Sequence, residues 1–482
     1  MKKILLFFVF ITLVCSIFAN TNGSISSSDS TETQIVFDST TLENSDFKPK
    51  KHYLAAAGGV LLQNILLYSW NYFLIGAGWT QVTFDDLIHF YEKPLEFDTD
   101  YYWTNFVLHP YQGSLYYMTA RASNLNQFES FLYSVLGSAI WEWFCETNDP
   151  SINDMVYTTL AAWPLGEMLH RLSFELEAVH SWLRFLGNPM RLYTEPVTRS
   201  KPLGTSGNLQ SFSLKVGFGL ESGKTYATGF DTLKEFYPAF GKVGFDVLYN
   251  DPFTHKTTHP FDQFHLKMEG SLGPGIGIGH KELEEKLAYD ITLFTDGMLY
   301  SWALPRGNID AVVGFSMNYD FLWNSFFEFT SIAPGVSYKQ RVNFENSSFL
   351  WETNLGYMLL GTTDFYYFRR NLVQPEDRSR SYNFNIGVEL YERLGWKWNN
   401  GHIIDFTLHG FAAYDFDDPD CDTYPGWEFY GLAQLAYDFP VSKSIKVGAE
   451  YNLWAKYALY KDLPNVFSIM HGANIYAKWV LK

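Results

Sequence analysis

A histidine and several acidic side chains in the first half of the chain are of the types that perform acid–base chemistry. His109, Glu142 and Glu146 are the candidate catalytic residues, because paired carboxylates beside an imidazole can transfer protons or hold a metal ion. Other polar residues accompany them and form a candidate structural or ligand-binding network: Asn105, Tyr116, Arg121, Asp154, Glu167 and Arg171. Since a buried charge must be paired, we expect this second set to be a structural network of ion pairs and hydrogen bonds.

Established motifs for metal, nucleophilic or nucleotide chemistry are missing from the sequence. It has no HExxH, no paired-cysteine spacing, no GxSxG and no Walker loop. We therefore expect no cofactor and no metal. The structural explanation is favoured over ligand or lipid headgroup binding and over catalysis.

The candidate residues lie in a segment with a helical period, residues 50–198. Ser130, Ser134, Ser138, Glu142 and Glu146 recur every four residues and so share one stripe of a predicted helix at residues 126–146. Small hydroxyl residues permit close contact with another backbone. The alternative is a polar edge that faces solvent.

Neighbouring helices are predicted from caps, breaks and apolar length. Residues 54–75 carry no charge, which predicts a buried helix or, alternatively, a span of the inner membrane. Ser151 and Asp154 form a capping-box pattern. Pro164 should break or kink the next helix, in which Glu167 and Arg171 are spaced for an i,i+4 ion pair.

Several short motifs follow one another through this segment. They are Asn105–Tyr117 with His109-Pro110-Tyr111, then Ala120-Arg121, Ser138–Glu142, Pro150–Asp154, Gly166-Glu167 and Asn188–Arg191. In this order they resemble the signature of the domain of unknown function 3943 family, over residues 64–191. Many members of that family in diderm bacteria join this block to a predicted outer-membrane barrel, but the family has no established activity. One departure is Ala162-Trp163-Pro164-Leu165, where members more often have Thr-Pro followed by Gly.

The remainder of the chain, residues 209–482, alternates apolar and polar residues between Gly, Pro, Asn and Asp turns. In one segment Ile445, Val447 and Ala449 alternate with Lys446 and Gly448. A period of two fits a strand, and the segments reach the ~9–11 residues that a tilted strand needs to cross a bilayer. The pattern predicts a mainly β protein: an antiparallel transmembrane β-barrel of about 12 strands, with 10 or 14 as alternatives, preceded by an α-helical block. A soluble β-sandwich or barrel would also alternate.

The N-terminus has the pattern of an export signal. Residues 1–19 combine lysines, an apolar run and Ala19, which predicts a signal peptide, and residues 20–49 are rich in Ser, Thr and Asn, which predicts a disordered leader. Cys15 permits a lipoprotein signal, although Val14 before it fits poorly. If the signal is removed, Cys145 and Cys421 remain, and whether they pair is left open.

These features together predict an exported outer-membrane protein. The net charge of -17 argues against nucleic acid, so the expected partners are membrane lipids and the outer-membrane assembly machinery. The expected function is non-enzymatic: a channel, or a structural or lipid-interacting envelope component. One alternative is an outer-membrane lipid hydrolase or modifying enzyme using the polar residues of the helical block, and another is a soluble periplasmic binding module. The oligomeric state, whether the lumen is open, and whether the helices plug the barrel or lie beside it stay open.

Overall fold

A computed structural model describes residues 50–273, 276–278, 288–304, 307–324, 327–369, 380–416 and 424–481. The predicted signal peptide, the predicted leader and Cys421 lie outside these residues. Cys145 is buried with a free thiol. Residues 50–482 belong to one compact unit.

The helical block consists of eight α-helices in the described residues before the first strand. They are α1 Tyr53–Ser69, α2 Phe84–Ile88, α3 His109–Ala122, α4 Gln127–Phe144, α5 Ile152–Val156, α6 Ala162–Val179, α7 Arg184–Gly187 and α8 Arg191–Thr198. Three π-helical segments adjoin them: Trp70–Ile75 after α1, Thr104–Leu108 before α3 and Tyr157–Ala161 between α5 and α6. No helix in the described part of the chain has both the length and the apolar character required to cross a membrane.

Local sequence explains where these helices begin. Asn126 and Glu129 form a capping box at the start of α4. The Ser151 side chain accepts a hydrogen bond from the Asp154 amide at the start of α5. Pro164, where the sequence predicts a break or kink, lies in the first turn of α6, directly after the π-helical segment Tyr157–Ala161.

Thirteen strands follow in the described residues. They are β1 Leu209–Ala227, β2 Leu233–Tyr249, β3 Gln263–Gly273, β4 Ile276–Ile278, β5 Ala288–Ala303, β6 Ile309–Asn324, β7 Glu328–Asn343, β8 Ser347–Asp364, β9 Tyr382–Trp398, β10 Ile403–Asp415, β11 Gly426–Pro440, β12 Ile445–Tyr460 and β13 Val466–Val480. A short helix, α9 Tyr366–Arg369, follows β8. The three-residue β4 pairs with β2 beyond the part of β2 that pairs with β3.

The sheet closes on itself. Each long strand pairs antiparallel with its neighbours, and Leu214 of β1 lies opposite both Phe245 of β2 and Trp479 of β13. When β3 and β4, which both pair with β2, are counted as one strand of the wall, the barrel has 12 strands. The predicted antiparallel barrel of about 12 strands is therefore confirmed.

The two faces of the barrel wall have opposite chemistry. On β9, Ile386, Val388 and Leu390 point outward and are exposed, whereas Asn385 and Glu389 point inward and are buried. A soluble barrel would bury the apolar set. An apolar outer face with a polar interior is that of a transmembrane barrel, and it is inconsistent with the soluble periplasmic binding module.

The helical block lies beside the barrel and covers part of its outer wall. Tyr382 and Phe384 belong to the same outward-facing side of β9 as Ile386, yet they are only 1% exposed. The Asn105 side chain donates to the Tyr382 hydroxyl at 2.8 Å, and the Phe106 ring packs on both aromatic rings. The helices therefore do not plug the lumen at these contacts but cover one side of the outer wall.

Side chains cross the lumen at several places. Lys267 of β3 donates to Gln434 of β11 at 2.6 Å, and the rings of Phe329 and Phe411, on β7 and β10, have centroids 3.7 Å apart. The two aromatic rings belong to a buried apolar cluster: Leu322, Phe327, Phe329, Ala333, Met358, Phe411, Ala413, Tyr430, Trp454 and Met470. A barrel of this size can thus be filled by its own side chains, unlike the ~16–18-stranded porins with aqueous channels.

Candidate functional site

Glu167 is the centre of one group of the predicted polar residues. Its two carboxylate oxygens lie 2.7 Å from Arg121 Nε and 2.8 Å from Arg171 Nε, and the Tyr117 hydroxyl donates to it at 2.9 Å. We call these four residues the Glu167 network. Arg171 also donates to the carbonyl of Pro260, so the network joins α3 and α6 to the loop between β2 and β3.

The Glu167 carboxyl is ionised although it is completely buried. Burial alone would raise its pKa, but the guanidinium groups of Arg121 and Arg171 lower the pKa to about 2. The charges therefore compensate one another inside the helical block. This arrangement agrees with the structural role expected for these three residues.

His109 belongs to a second group, which contains no permanent cation. Its Nε2 lies 3.5 Å from Asp154 Oδ2, and its Nδ1 lies 3.2 Å from the Thr158 hydroxyl. Glu142 completes the group, since potential ligand atoms of His109, Glu142 and Asp154 all lie within 4.8 Å of one another. We call these three residues the His109 cluster.

The backbone brings the His109 cluster together from three helices. His109 begins α3, Glu142 lies near the end of α4 and Asp154 lies in α5. The amide of Ser151 donates to Glu142 Oε2 at 2.9 Å, which ties the end of α4 to the start of α5. Gly113 permits α3 to lie close to the π-helical segment Tyr157–Ala161, because a Cβ at this position would overlap the Thr158 carbonyl.

Burial sets the protonation of the His109 cluster. It lowers the pKa of His109 to about 4, which favours the neutral imidazole at pH 7. Burial and the neighbouring carboxyl groups raise the pKa of both Glu142 and Asp154 well above their ordinary values. Within the described residues, neither carboxyl has a lysine or arginine nitrogen within 4 Å.

Asp98, which the sequence analysis missed, connects this cluster to the barrel wall. Its carboxylate accepts hydrogen bonds from Asn153 at 3.0 Å and from Asn105 at 2.6 Å, and Asn105 in turn donates to Tyr382. The available signal was the acidic pair Asp98 and Asp100, which lies ahead of the predicted helices.

Two other predicted residues lie apart from both groups. Tyr116 is buried and bonds to Asn64 and Gln112. Glu146 lies beyond the C-terminus of α4, and burial together with the charge of Asp100 raises its pKa to about 8. The predicted set is therefore divided among the Glu167 network, the His109 cluster, Asn105 beside Asp98, and these two separate positions.

The His109 cluster has donors suited to proton transfer or to a divalent cation. One imidazole nitrogen and two carboxylates form an N/O ligand set. The order hydroxyl, imidazole, carboxylate in Thr158, His109 and Asp154 also matches that of nucleophilic hydrolases. However, Thr158 is 1% exposed, so a substrate has no direct access to its hydroxyl in this conformation.

A further acid–histidine group, which the sequence analysis also missed, lies in the barrel lumen. It comprises Asp320 of β6, Glu389 of β9 and His409 of β10, whose ligand atoms likewise lie within 4.8 Å of one another. We call these three residues the lumen cluster. Alternation alone could have placed each of them on an inward face, but not beside one another.

Residues 94–197 match a family model described as "Domain of unknown function (DUF3943)". The helical block contains a DUF3943 domain. The matched residues include the whole of the Glu167 network and of the His109 cluster. No curated protein matches the chain.

Solved structures with some similarity include three bacterial barrels. The outer membrane protease OmpT of Escherichia coli is 10% identical, with 56% of this chain and 97% of that chain covered and a TM-score of 0.23. An outer membrane channel from Pseudomonas putida F1 is 9% identical, with 58% and 100% covered and a TM-score of 0.31. The translocator domain of the autotransporter NalP from Neisseria meningitidis is 11% identical, with 64% and 99% covered and a TM-score of 0.28.

Replacing Glu167 by glutamine tests the Glu167 network. The change removes the counter-charge of Arg121 and one of the two carboxylate partners of Arg171, which also pairs with Asp262 at 3.2 Å. We therefore expect a loss of about 3 kcal/mol in the free energy of unfolding at pH 7. Because the folded-state pKa is lowered from 4.5 to about 2, the stabilisation is present above pH 4.5 and is lost as the pH falls towards 2. The measurement is denaturant unfolding in detergent, followed by tryptophan fluorescence between pH 7 and pH 2.

Glu129→Gln is the matched control, because Glu129 forms a partly exposed pair with Lys51. Its effect at pH 7 should be much smaller. Two results would contradict an ionised Glu167 network. One is an equal free energy of unfolding for Glu167→Gln and the wild type at pH 7, and the other is a difference in that free energy that does not shrink as the pH falls.

Proposed function

We propose that this protein is a non-conducting outer-membrane β-barrel that holds its DUF3943 domain in the surrounding lipid, where the helical block acts as a lipid-interacting envelope component. The observation that carries this proposal is the distribution of side chains on α4. Ser130, Ser134 and Ser138 face the interior of the block, whereas Leu132 and Leu136 are 48% and 47% exposed. A helix at a water interface would have the reverse arrangement.

α1 has the same arrangement as α4. Its inner face is made of Ala56, Gly59 and Val60, which allow close packing, while Ile65 and Leu66 are 59% and 60% exposed. The expectation of a buried helix at this position is wrong for the outer face. Small residues inside and large apolar residues outside are characteristic of helices that pack within lipid.

Acyl chains are the occupant that best fits these exposed faces. The helical block packs on the outer side of β9, whose next outward residues, Ile386, Val388 and Leu390, are exposed on the transmembrane wall. The apolar surfaces of the block and of the barrel wall are thus adjacent. A water-soluble partner protein would have to cover both surfaces, whereas lipid meets both without any further structure.

Contacts across the lumen support the non-conducting part of the proposal. The Phe329–Phe411 contact and the Lys267–Gln434 hydrogen bond lie on different strand pairs and bridge the interior. An aqueous channel would require these side chains to separate. A structural or lipid-interacting envelope component is therefore favoured over a channel. The alternative of a lipid hydrolase is not favoured, because the Thr158 hydroxyl is buried.

Planar bilayer recording tests whether the lumen is closed. Purified wild-type protein should produce no steady conductance steps at neutral pH, because side chains fill the lumen. A 16-stranded porin reconstituted in the same way provides the positive control. Regular steps that scale with the number of inserted wild-type molecules would show that the lumen is open.

Leu132→Lys tests whether α4 contacts lipid. Lysine and leucine have similar helix propensities, so a change in stability reports the surroundings of the side chain. In lipid vesicles we expect a loss of about 2 kcal/mol in folding free energy, measured by urea titration. Leu203→Lys is the matched control, because Leu203 is 52% exposed in the segment between the helical block and β1. Equal, negligible effects of both substitutions would contradict the proposal.

A further inference from the structure

His409 lies inside the barrel between two carboxylates from other strands. It is 4% exposed, and its Nε2 is 3.3 Å from Asp320 Oδ2 and 3.4 Å from Glu389 Oε1. The three residues come from β10, β6 and β9, so the group joins strands that are not all neighbours. This lumen cluster is independent of the helical block.

Neither ring nitrogen of His409 has a well-aligned hydrogen-bond partner among the described residues, although the imidazole is buried. Two carboxylate oxygens therefore flank Nε2 at short range without lying in line to accept its proton. An unmade hydrogen bond on a buried group is costly unless another interaction replaces it. Ligand atoms ~2.0–2.1 Å from a tetrahedral zinc ion lie about 3.4 Å from one another. This separation matches the distances from His409 Nε2 to Asp320 Oδ2 and to Glu389 Oε1.

Surrounding hydrogen bonds orient the two carboxylates. The amide of Thr295 donates to Asp320 Oδ1 at 2.8 Å, and the Ser331 hydroxyl donates to Glu389 Oε2 at 2.6 Å. Asp320 Oδ2 and Glu389 Oε1 face the imidazole, and the Asn318 side chain also donates to Glu389 Oε1 at 3.0 Å. Supporting hydrogen bonds of this kind are typical of ligands in metal sites.

The charge around the lumen cluster differs from that around other acidic groups in the lumen. Glu450 lies 2.6 Å from Lys215 Nζ, and Asp405 lies 2.8 Å from an Arg393 nitrogen. Of the basic side chains that the structure describes, only that of His409 lies within 4 Å of Asp320 or Glu389. The cluster therefore lacks the permanent cation that Glu450 and Asp405 have.

We propose that the lumen cluster binds one divalent transition-metal ion of the Zn²⁺ class. His409 Nε2, Asp320 Oδ2 and Glu389 Oε1 are the protein ligands, and water fills the remaining coordination positions. A cavity of about 150 Å³, lined in part by Asp320 and His409, has room for that water. The ion would hold β6, β9 and β10 together across the lumen, which differs from the expectation from sequence that the chain binds no metal.

The His109 cluster has a similar set of ligand atoms, but its imidazole already has a hydrogen-bond partner. His109 Nδ1 is within hydrogen-bond distance of the Thr158 hydroxyl. Neither ring nitrogen of His409 has a well-aligned partner among the described residues. The experiment includes a variant of each cluster so that the two sites are distinguished.

Zinc binding by the full-length protein in detergent tests the proposal. Protein stripped with a chelator is titrated with Zn²⁺ alone, and bound zinc is measured by elemental analysis after desalting. We expect one zinc ion per wild-type chain and a thermal midpoint that rises with zinc concentration, because the ion binds only the folded barrel. Co²⁺ in place of Zn²⁺ should give the visible absorption of a nitrogen- and oxygen-ligated ion.

His409→Gln should abolish stoichiometric binding, and His265→Gln is the matched control. His265 lines the same cavity but pairs with Asp246 at 3.2 Å, so its loss should leave zinc binding intact. His109→Gln should also retain the ion. If His409→Gln does not give folded barrel by heat-modifiable gel migration, Asp320→Asn is measured in its place.

Three results would overturn the proposal. These are a wild-type chain that takes up no zinc, a folded His409→Gln or Asp320→Asn variant that keeps it, and loss of zinc in His109→Gln alone. The first would mean that the lumen cluster is a polar group that holds no metal. The last would assign the ion to the helical block.

Discussion

Backbone hydrogen bonding in lipid is the constraint on which the rest of this structure depends. The bilayer offers no water to satisfy an unpaired strand edge, so β1 must pair with β13 as well as with β2. Once the sheet closes, alternate side chains face lipid and lumen. The apolar outer wall and the charged interior are both consequences of this closure.

The proposed lipid environment also accounts for the arrangement of side chains in the helical block. Its helices place serine, small residues and charged groups towards one another and large apolar residues outward. Glu167 is tolerated inside because two arginines neutralise it, and Asp154 because its raised pKa favours the neutral form. Polar interiors beside the barrel and within the lumen thus follow one rule, and this rule is why acid–histidine clusters occur in both places.

Much of this architecture could be predicted from sequence, because it depends on local periodicity. The alternation from Leu209 onward predicted the barrel, and the four-residue spacing of Ser130, Ser134 and Ser138 predicted a stripe that faces another helix. Glu167 and Arg171 were correctly expected to pair along one helix. Each of these features depends on spacing within a single element.

The remaining features depend on contacts between elements that are distant in sequence. Nothing local distinguishes Tyr382, which the helical block covers, from Ile386, which is exposed on the same strand face. In the same way, the meeting of Asp320 with His409 depends on how the five successive strands β6 to β10 turn around the barrel. The position of the helices beside the barrel and the lumen cluster were therefore beyond sequence reasoning.

The central claim is that the helical block lies in lipid beside a closed barrel, and spin-label accessibility in vesicles tests it most directly. A label at Leu132→Cys, in a background with Cys145 and Cys421 replaced, is exposed to oxygen, which concentrates in lipid, and to a water-soluble nickel chelate. We expect oxygen to relax the spin label strongly and the nickel chelate to relax it only weakly. Strong relaxation by nickel with little by oxygen would place α4 in water and contradict it.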